Sequence, residues 1–447
     1  MKNKLLIILI TLLSLNSFSQ NEIKARIEFE EAEKYFNENK FTQAISGLEK
    51  TETLIGKWTP KVGYLKIEAL NKIVNSDDLE NENTKKLIKE VKSYMDFYSD
   101  QNESVILDKF KVVYAIDERF KILSKEAYFK KTPAFLEAEK AYNEKSFTKA
   151  LALWKAAADK GNFVAMDKVS DMYRDAVGVE GDYKTAIEWD TKAADLGYYI
   201  SMADLGVLYY QGRGVAKDYN IAFDKLSKAS EFQLDYAMYW LAQMYNHGQG
   251  VTRDDAKAFD WLSKSVNKNY VPAMNLLAEY YKVGVHEPIN YTKTVEWYEK
   301  ADQHGDTQAL IKIGTLYAEV LLNPAKSFEY YEKAYVKGYP KGAVYLGNRY
   351  LFGAGVNVNY EKALELFQMA SEKGDELAPH WIGRMYYDGK GVKKDFIEAI
   401  KWFELSAGRG EKASIDWLRF IYETGGKGVK KDLAKSAEYK ALYDSKK

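Results

Sequence analysis

A unit of about thirty-six residues recurs along most of the chain, and nothing else in the sequence limits the possible folds as tightly. Two copies read Leu205-Gly206, Tyr209, Gly212, Gly214-Val215, Asp218 and Leu241-Ala242, Tyr245, Gly248, Gly250-Val251, Asp254. Repetition at this period marks stacked helical hairpins, each burying its apolar face only against its neighbours. Hairpins of this kind share their core residues and differ mainly on their exposed faces, which points to a binding scaffold rather than a catalyst.

Taking the leading small residue of each unit as position zero, the starts are Ala165, Ser201, Ala237, Ala273, Ala309, Gly342, Ala378 and Ala413. In the second and third units Leu205/Leu241 and Tyr209/Tyr245 lie four and eight residues further on. At about 100° per residue they stay within an arc of about 80°, the buried stripe of a first helix. Small residues recur at position five: Gly206, Ala242, Ala278, Gly314, Gly347 and Gly383. Glycine within a helix costs about 1 kcal/mol relative to alanine, so its return predicts a close helix approach. The Gly-x-Gly-Val segments, such as Gly212 to Val215 and Gly389 to Val392, end that helix with residues able to take positive φ. Asp182, Asp218, Asp254, Asn359, Asp395 and Asp432 then stand where a second helix needs an N-cap acceptor. The second helix carries Ala186-Trp189-Ala193, Ala258-Trp261 and Ala399-Trp402-Ala407 on one face and stops at Gly197, Gly305, Gly338, Gly374 or Gly410. The recurrence of the aromatic residues assigns them first to the core.

The combination small-x3-Leu-Gly-x2-Tyr-x2-Gly-x-Gly-Val-x2-Asp-x3-Ala-x2-Trp-x3-Ala-Ala resembles the Sel-one-like repeat (SLR), a branch of the tetratricopeptide-type (TPR-like) α-solenoids. The resemblance implies an all-α, right-handed superhelical solenoid of antiparallel helical hairpins over residues 162–447, about seven repeats and a C-terminal capping unit. It also implies a protein–protein interaction scaffold or adaptor, often of bacterial envelopes or host contacts. Three units depart from the pattern. The fourth has His286 in place of the second glycine, the fifth replaces the glycine turn by Asn323-Pro324, and the second has Lys225 at the tryptophan position. The disulfide clamps of some exported relatives have no counterpart in a chain without cysteine.

Upstream the pattern is fainter. Ala32-Glu33-Lys34-Tyr35-Phe36 with Phe41-Thr42 is echoed by Ala138-Glu139-Lys140-Ala141-Tyr142 with Phe147-Thr148, so TPR-like hairpins are expected from about residue 22. Residues 20–131 read as a degenerate TPR-like helical region and 132–161 as a TPR-like hairpin. Helical patterns near 60–73, 84–98 and 104–130 flank a polar loop from Asn75 to Thr84. The end of the chain, with Tyr439, Tyr443 and Ser445-Lys446-Lys447, carries no further helix in this reading and serves as the cap.

Residues 1–19 read as a secretory signal peptide: Lys2 and Lys4 precede the apolar run Leu5–Leu15, and Ser17-Phe18-Ser19 offers a cleavage site before Gln20. The run is shorter than the roughly twenty residues that cross a bilayer, so a periplasmic or secreted protein is expected, without membrane insertion after cleavage. Export permits disulfides, yet cysteine is absent, which also excludes thiolate catalysis. The chain has 65 basic and 65 acidic side chains, and losing the two leader lysines leaves a formal charge of −2. Nothing in this balance favours nucleic acid.

The four histidines, His247, His286, His304 and His380, have no metal-ligand spacing among them, and the glycine segments lack the strand and Lys-Ser/Thr ending of a phosphate loop. No nucleophile with an adjacent base is visible, so a cell-wall or β-lactam-directed hydrolase, an activity of some exported relatives, is a remote alternative. No catalytic, cofactor or metal residue is assigned. The variable positions two, six and nine of the first helix point away from the Leu/Tyr stripe, and in TPR-type solenoids that side lines the concave groove. There stand Tyr239, Gln243 and Asn246, then Asn275, Glu279 and Lys282, then His380, Arg384 and Tyr387, with Tyr210, Asn348 and Arg349 on or beside the track. Aromatic, arginine and amide side chains in such a groove suit a partner polypeptide. A solvated inner wall without a ligand, binding through the convex face, and self-assembly through the solenoid ends remain the other readings. Trp240 and Trp381, at position three, are read as packing residues.

Overall fold

The structure is a computed structural model that describes residues 20–74, 78–98 and 107–445. The leader expected over 1–19 lies outside the described residues, as does the part of the expected polar loop at 75–77. Among the described residues the architecture is all-α: consecutive helices pair as hairpins, with one isolated bridge between Gly426 and Val429 as the only extended pairing. Two compact units divide the chain, one up to Asp254 and one from Asp255.

The hairpin turns follow from the expected residues. Gly212, Gly248, Gly284, Gly353 and Gly389 cap their first helices in the left-handed region. After each turn a backbone hydrogen bond recurs: the N–H of Asp218, Asn359 and Asp395 donates to the carbonyl of Tyr209, Tyr350 and Tyr386 at 3.1, 2.9 and 3.0 Å. The same capping side chains accept from the first free amides of the second helix, as Asp218 does from Asn220 and Ile221, and Asp395 from Ile397 and Glu398. The tyrosine at position eight thus both borders the core and closes the turn.

The second glycine of the turn is set by contact as well as by φ. A Cβ on Gly355, at φ +83°, would stand 2.2 Å from the carbonyl oxygen of Pro324, which begins the preceding unit's second helix. His286 at the equivalent place keeps a left-handed φ of +64° and lays its ring against Phe259, centroids 5.3 Å apart. In the fifth unit the glycine turn gives way to a π-helical turn, Leu316–Val320, with Leu322 at φ +49° and Asn323 accepting from the Lys326 amide ahead of Pro324.

The small residue at position five does admit a close neighbour. Added Cβ atoms on Gly314, Gly347 and Gly383 would meet the rings of Tyr331, Phe367 and Phe403 at 2.4, 2.7 and 2.9 Å. Those rings are buried, and the next unit's position-three aromatic stacks on each: Tyr345 on Tyr331, Trp381 on Phe367, Trp417 on Phe403. Each ring is held between a glycine of its own unit and an aromatic of the next. Trp381 is therefore a packing residue.

Three expectations are corrected. In the last unit Ser414, fully buried, occupies position zero, whereas Ala413 is exposed, so the register there shifts by one. Tyr439 and Tyr443 do not trail the array but lie in a full helix, Leu433–Ser445, whose start Asp432 caps through the Lys435 amide. The loop expected to reach Thr84 ends earlier, because helix Glu82–Tyr98 already contains Thr84, fully buried.

In the first unit the N-terminal helices are tied to the repeats by polar contacts at long sequence separation. Buried Lys66 bridges Glu52 at 2.7 Å and Glu90 at 2.8 Å, and Glu90 accepts from Trp58 Nε1. Helix Leu107–Lys130 packs on helix Phe163–Arg174. Its Arg119 donates to the Glu231 carbonyl at 3.1 Å and to Asn71, while Glu126 accepts from the Tyr199 hydroxyl at 3.0 Å. Among the described residues no helix is long and apolar enough to cross a membrane.

Candidate partner-binding surface

In two places position two of a first helix faces position zero of the next first helix rather than open solvent. The Ser201 hydroxyl donates to Asp167 at 3.0 Å, and thirty-four residues likewise separate His380 from Ser414, whose atoms Nδ1 and Oγ are 2.9 Å apart. His380 is 6% exposed, wedged between Trp381 and Phe403. Burial, and then the charge of Arg384, lower its pKa to about 4. His380 is thus not available on an exposed wall: neighbouring first helices lie side by side and cover this position.

The first unit gathers Tyr210, Tyr219, Tyr239 and Trp240 into one aromatic patch. Tyr210 meets Trp240 at 4.9 Å and Tyr219 at 5.4 Å, and Tyr239 meets Trp240 at 5.6 Å. The Tyr210 hydroxyl donates to Gln249 Oε1 at 2.6 Å, and Gln249 Nε2 donates to the Tyr219 hydroxyl. Gln243 and Asn246 are half-buried on the same helix, Asp235–His247.

In the second unit Asn275, Glu279 and Lys282 are engaged with neighbouring groups. Asn275 donates to Asp306 at 2.7 Å and accepts from Lys312 at 2.5 Å. Glu279 accepts from the Tyr298 hydroxyl and pairs with Lys282 at 3.2 Å. Lys312, at the position where Trp240, Tyr345 and Trp381 stand in their units, places its ammonium over the Tyr298 ring.

Further along, two guanidinium groups lie over aromatic rings with little carboxylate contact. Arg384 sits 4.3 Å above Trp417 and approaches Asp388 only to 3.6 Å. Arg349 lies 5.1 Å from the Tyr331 centroid and has no carboxylate partner among the described residues. Asn348, beside it, is half-buried. Tyr387 packs against Phe396 and Trp417 at 4.9 and 5.0 Å, with Lys394 over its ring.

One recurring arrangement escaped the sequence reading. The second-helix residues Trp189, Trp261, Trp297 and Tyr330 each carry a lysine three residues on over the ring: Lys192, Lys264, Lys300 and Lys333, at 4.1, 4.1, 3.7 and 4.4 Å. Three of these rings, the tryptophans, are half-buried, so they border the core rather than fill it. Spacing i, i+3 between aromatic and lysine was the available signal.

These hairpins define an α-solenoid built from a single repeated motif. The family model for the Sel1 repeat matches residues 144–162, 164–198, 200–231, 235–270, 271–306, 308–339, 340–375, 378–411 and 420–439. The chain belongs to the Sel1 repeat family, a fold typical of protein–protein interaction scaffolds. Among solved structures it is similar to a protective antigen of uropathogenic Escherichia coli strains displaying an SLR fold, at 27% identity and a TM-score of 0.49. That match covers 66% of this chain and 64% of the E. coli chain, less than two thirds of the relative's length. It is also similar to a Sel1 repeat protein from Oxalobacter formigenes at 22% identity, covering 72% of this chain and 90% of that one, with a TM-score of 0.50. No curated protein matches the chain.

Proposed function

We propose that the protein is an exported scaffold that holds a partner polypeptide against the first-helix side chains of its second unit, centred on Arg349, Arg384 and Tyr387. The lysine-flanked apolar run and the Ser-Phe-Ser site at the N-terminus support export to the periplasm or beyond the cell. The observation that carries the binding site is the state of the two arginines. Their guanidinium groups are oriented by Tyr331 and Trp417 yet lack close ion pairs, whereas Asn275, Glu279 and Lys282 already engage neighbours. A planar guanidinium pre-ordered on an aromatic ring presents a rigid fork of donors to a carboxylate or to backbone carbonyls, with little ordering entropy left to lose on binding.

The test is in-cell crosslinking and pull-down of the tagged mature protein, wild type beside Arg349→Glu/Arg384→Glu, with captured proteins identified by mass spectrometry. A partner recovered with wild type and lost with the double variant supports the site. Equal recovery places binding on another surface, and recovery of the chain alone favours self-assembly.

A further inference from the structure

The first unit buries a group of carboxylates that its own side chains do not neutralise. Asp167, Asp190 and Asp204 come from three consecutive helices, Phe163–Arg174, Tyr183–Asp195 and Tyr199–Gln211. One oxygen from each lies within 4.8 Å of the others, a separation that lets a single ion reach all three. Asp167 and Asp190 are 2% and 0% exposed, and the Asp204 side chain is 17% exposed, which leaves one side toward solvent.

Two of the three have partners. Asp204 accepts from Arg174 at 2.6 Å and from the Tyr236 hydroxyl at 2.7 Å; Asp167 accepts from Ser201 and lies 3.5 Å from Lys168. Asp190 has none: both carboxylate oxygens are buried without a hydrogen-bond partner, and the nearby Ser170 hydroxyl donates instead to the Ala186 carbonyl. Asp171 adds a fourth carboxylate, which shares Lys168 and Arg174 with the others. Four carboxylates against two cations leave an excess of two negative charges, in a place where an unpaired ion is strongly disfavoured. Burial first, and then Asp204 and Asp167, raise the Asp190 carboxyl well above the ordinary carboxylate range.

We infer that Asp167, Asp190 and Asp204 form a binding site for a hard divalent cation, which staples the hairpin Phe163–Asp195 to the first helix of the next repeat. Carboxylate oxygens without nitrogen or sulfur ligands select Ca2+, Mg2+ or Mn2+ over softer metals. The ion matches the excess charge, supplies Asp190 with its missing partner, and leaves Arg174 and Lys168 where they are. The alternative is a proton on Asp190, which neutralises one carboxylate without joining the three helices.

Metal-free mature protein, wild type beside Asp190→Asn, is titrated with Mn2+ followed by electron paramagnetic resonance. Thermal unfolding is recorded in Ca2+, Mg2+ and chelator. Expected are one Mn2+ bound per chain, displaced by Ca2+ or Mg2+, a rise in the wild-type unfolding temperature with the ion, and at least tenfold weaker binding by Asp190→Asn. The variant remains folded in chelator, since the amide removes a buried charge. Absence of stoichiometric Mn2+ binding to wild type, or binding unchanged in Asp190→Asn, overturns the inference; an ion-independent unfolding temperature with a more stable Asp190→Asn assigns the site to a proton.

Discussion

The indole of Trp417 lies nearly parallel to the ring of Phe403, planes 11° and centroids 5.8 Å apart, although the two residues belong to different repeats. Arg384 contacts the same indole at 4.3 Å, so one side chain joins core packing to the proposed binding surface. Trp417→Ala should destabilise the second unit by about 2–3 kcal/mol, below the 3–5 kcal/mol typical of buried aromatics because the indole is half-exposed. Urea unfolding measures this. A loss under about 0.5 kcal/mol would mean the stack contributes little.

Gly347→Ala sets two effects against each other. Alanine favours the helix by about 1 kcal/mol, but its Cβ would meet the Phe367 ring at 2.7 Å, and overpacking costs about 1–3 kcal/mol. The expected outcome is a net loss of about 1 kcal/mol, largely recovered in Gly347→Ala/Phe367→Leu. A double-mutant cycle by denaturant unfolding reads the coupling; additive losses would refute the close approach as the reason for glycine.

Gly355→Ala should be costlier. It combines φ +83° with a Cβ 2.2 Å from the Pro324 carbonyl oxygen, and backbone rather than a flexible side chain must yield. A loss above about 2 kcal/mol is expected in the same assay.

His380 makes the second unit sensitive to acid. Its folded pKa of about 4 lies below the unfolded value near 6.5, so the unfolded chain binds the extra proton between those values and stability falls as pH drops through that window. The full effect is at most about 3 kcal/mol. His380→Gln retains a hydrogen-bonding group toward Ser414 but cannot titrate, so its unfolding temperature should fall less than wild type between pH 7 and pH 4.5. Parallel pH profiles would contradict a buried neutral imidazole.

The sequence made the turns and caps legible because glycine, aspartate and asparagine act there through local backbone chemistry. Asp218, Asn359 and Asp395 cap their helices as their positions require. What it hid was lateral. A helical wheel separates a buried stripe from an opposite face, but position two is covered by a different helix about thirty-four residues away, so His380 looked exposed and is not. Ala413 and Ser414 are both small, and only packing distinguishes them. The Asp167, Asp190 and Asp204 group has no spacing signature, since it assembles from three helices whose register emerges only on folding.

The sandwiching of Tyr331, Phe367 and Phe403 means that the structural boundary between repeats does not coincide with any boundary drawn in the sequence: each ring is lidded by its successor. Excising one whole period between Gly347 and Gly383 would remove Phe367 together with its lid Trp381 and set Gly347 against Phe403, which keeps Trp417, whereas a cut that takes only the ring or only the lid strands the other. Such interchangeability lets an array of this kind grow or shrink by whole periods through duplication and loss while its core remains closed.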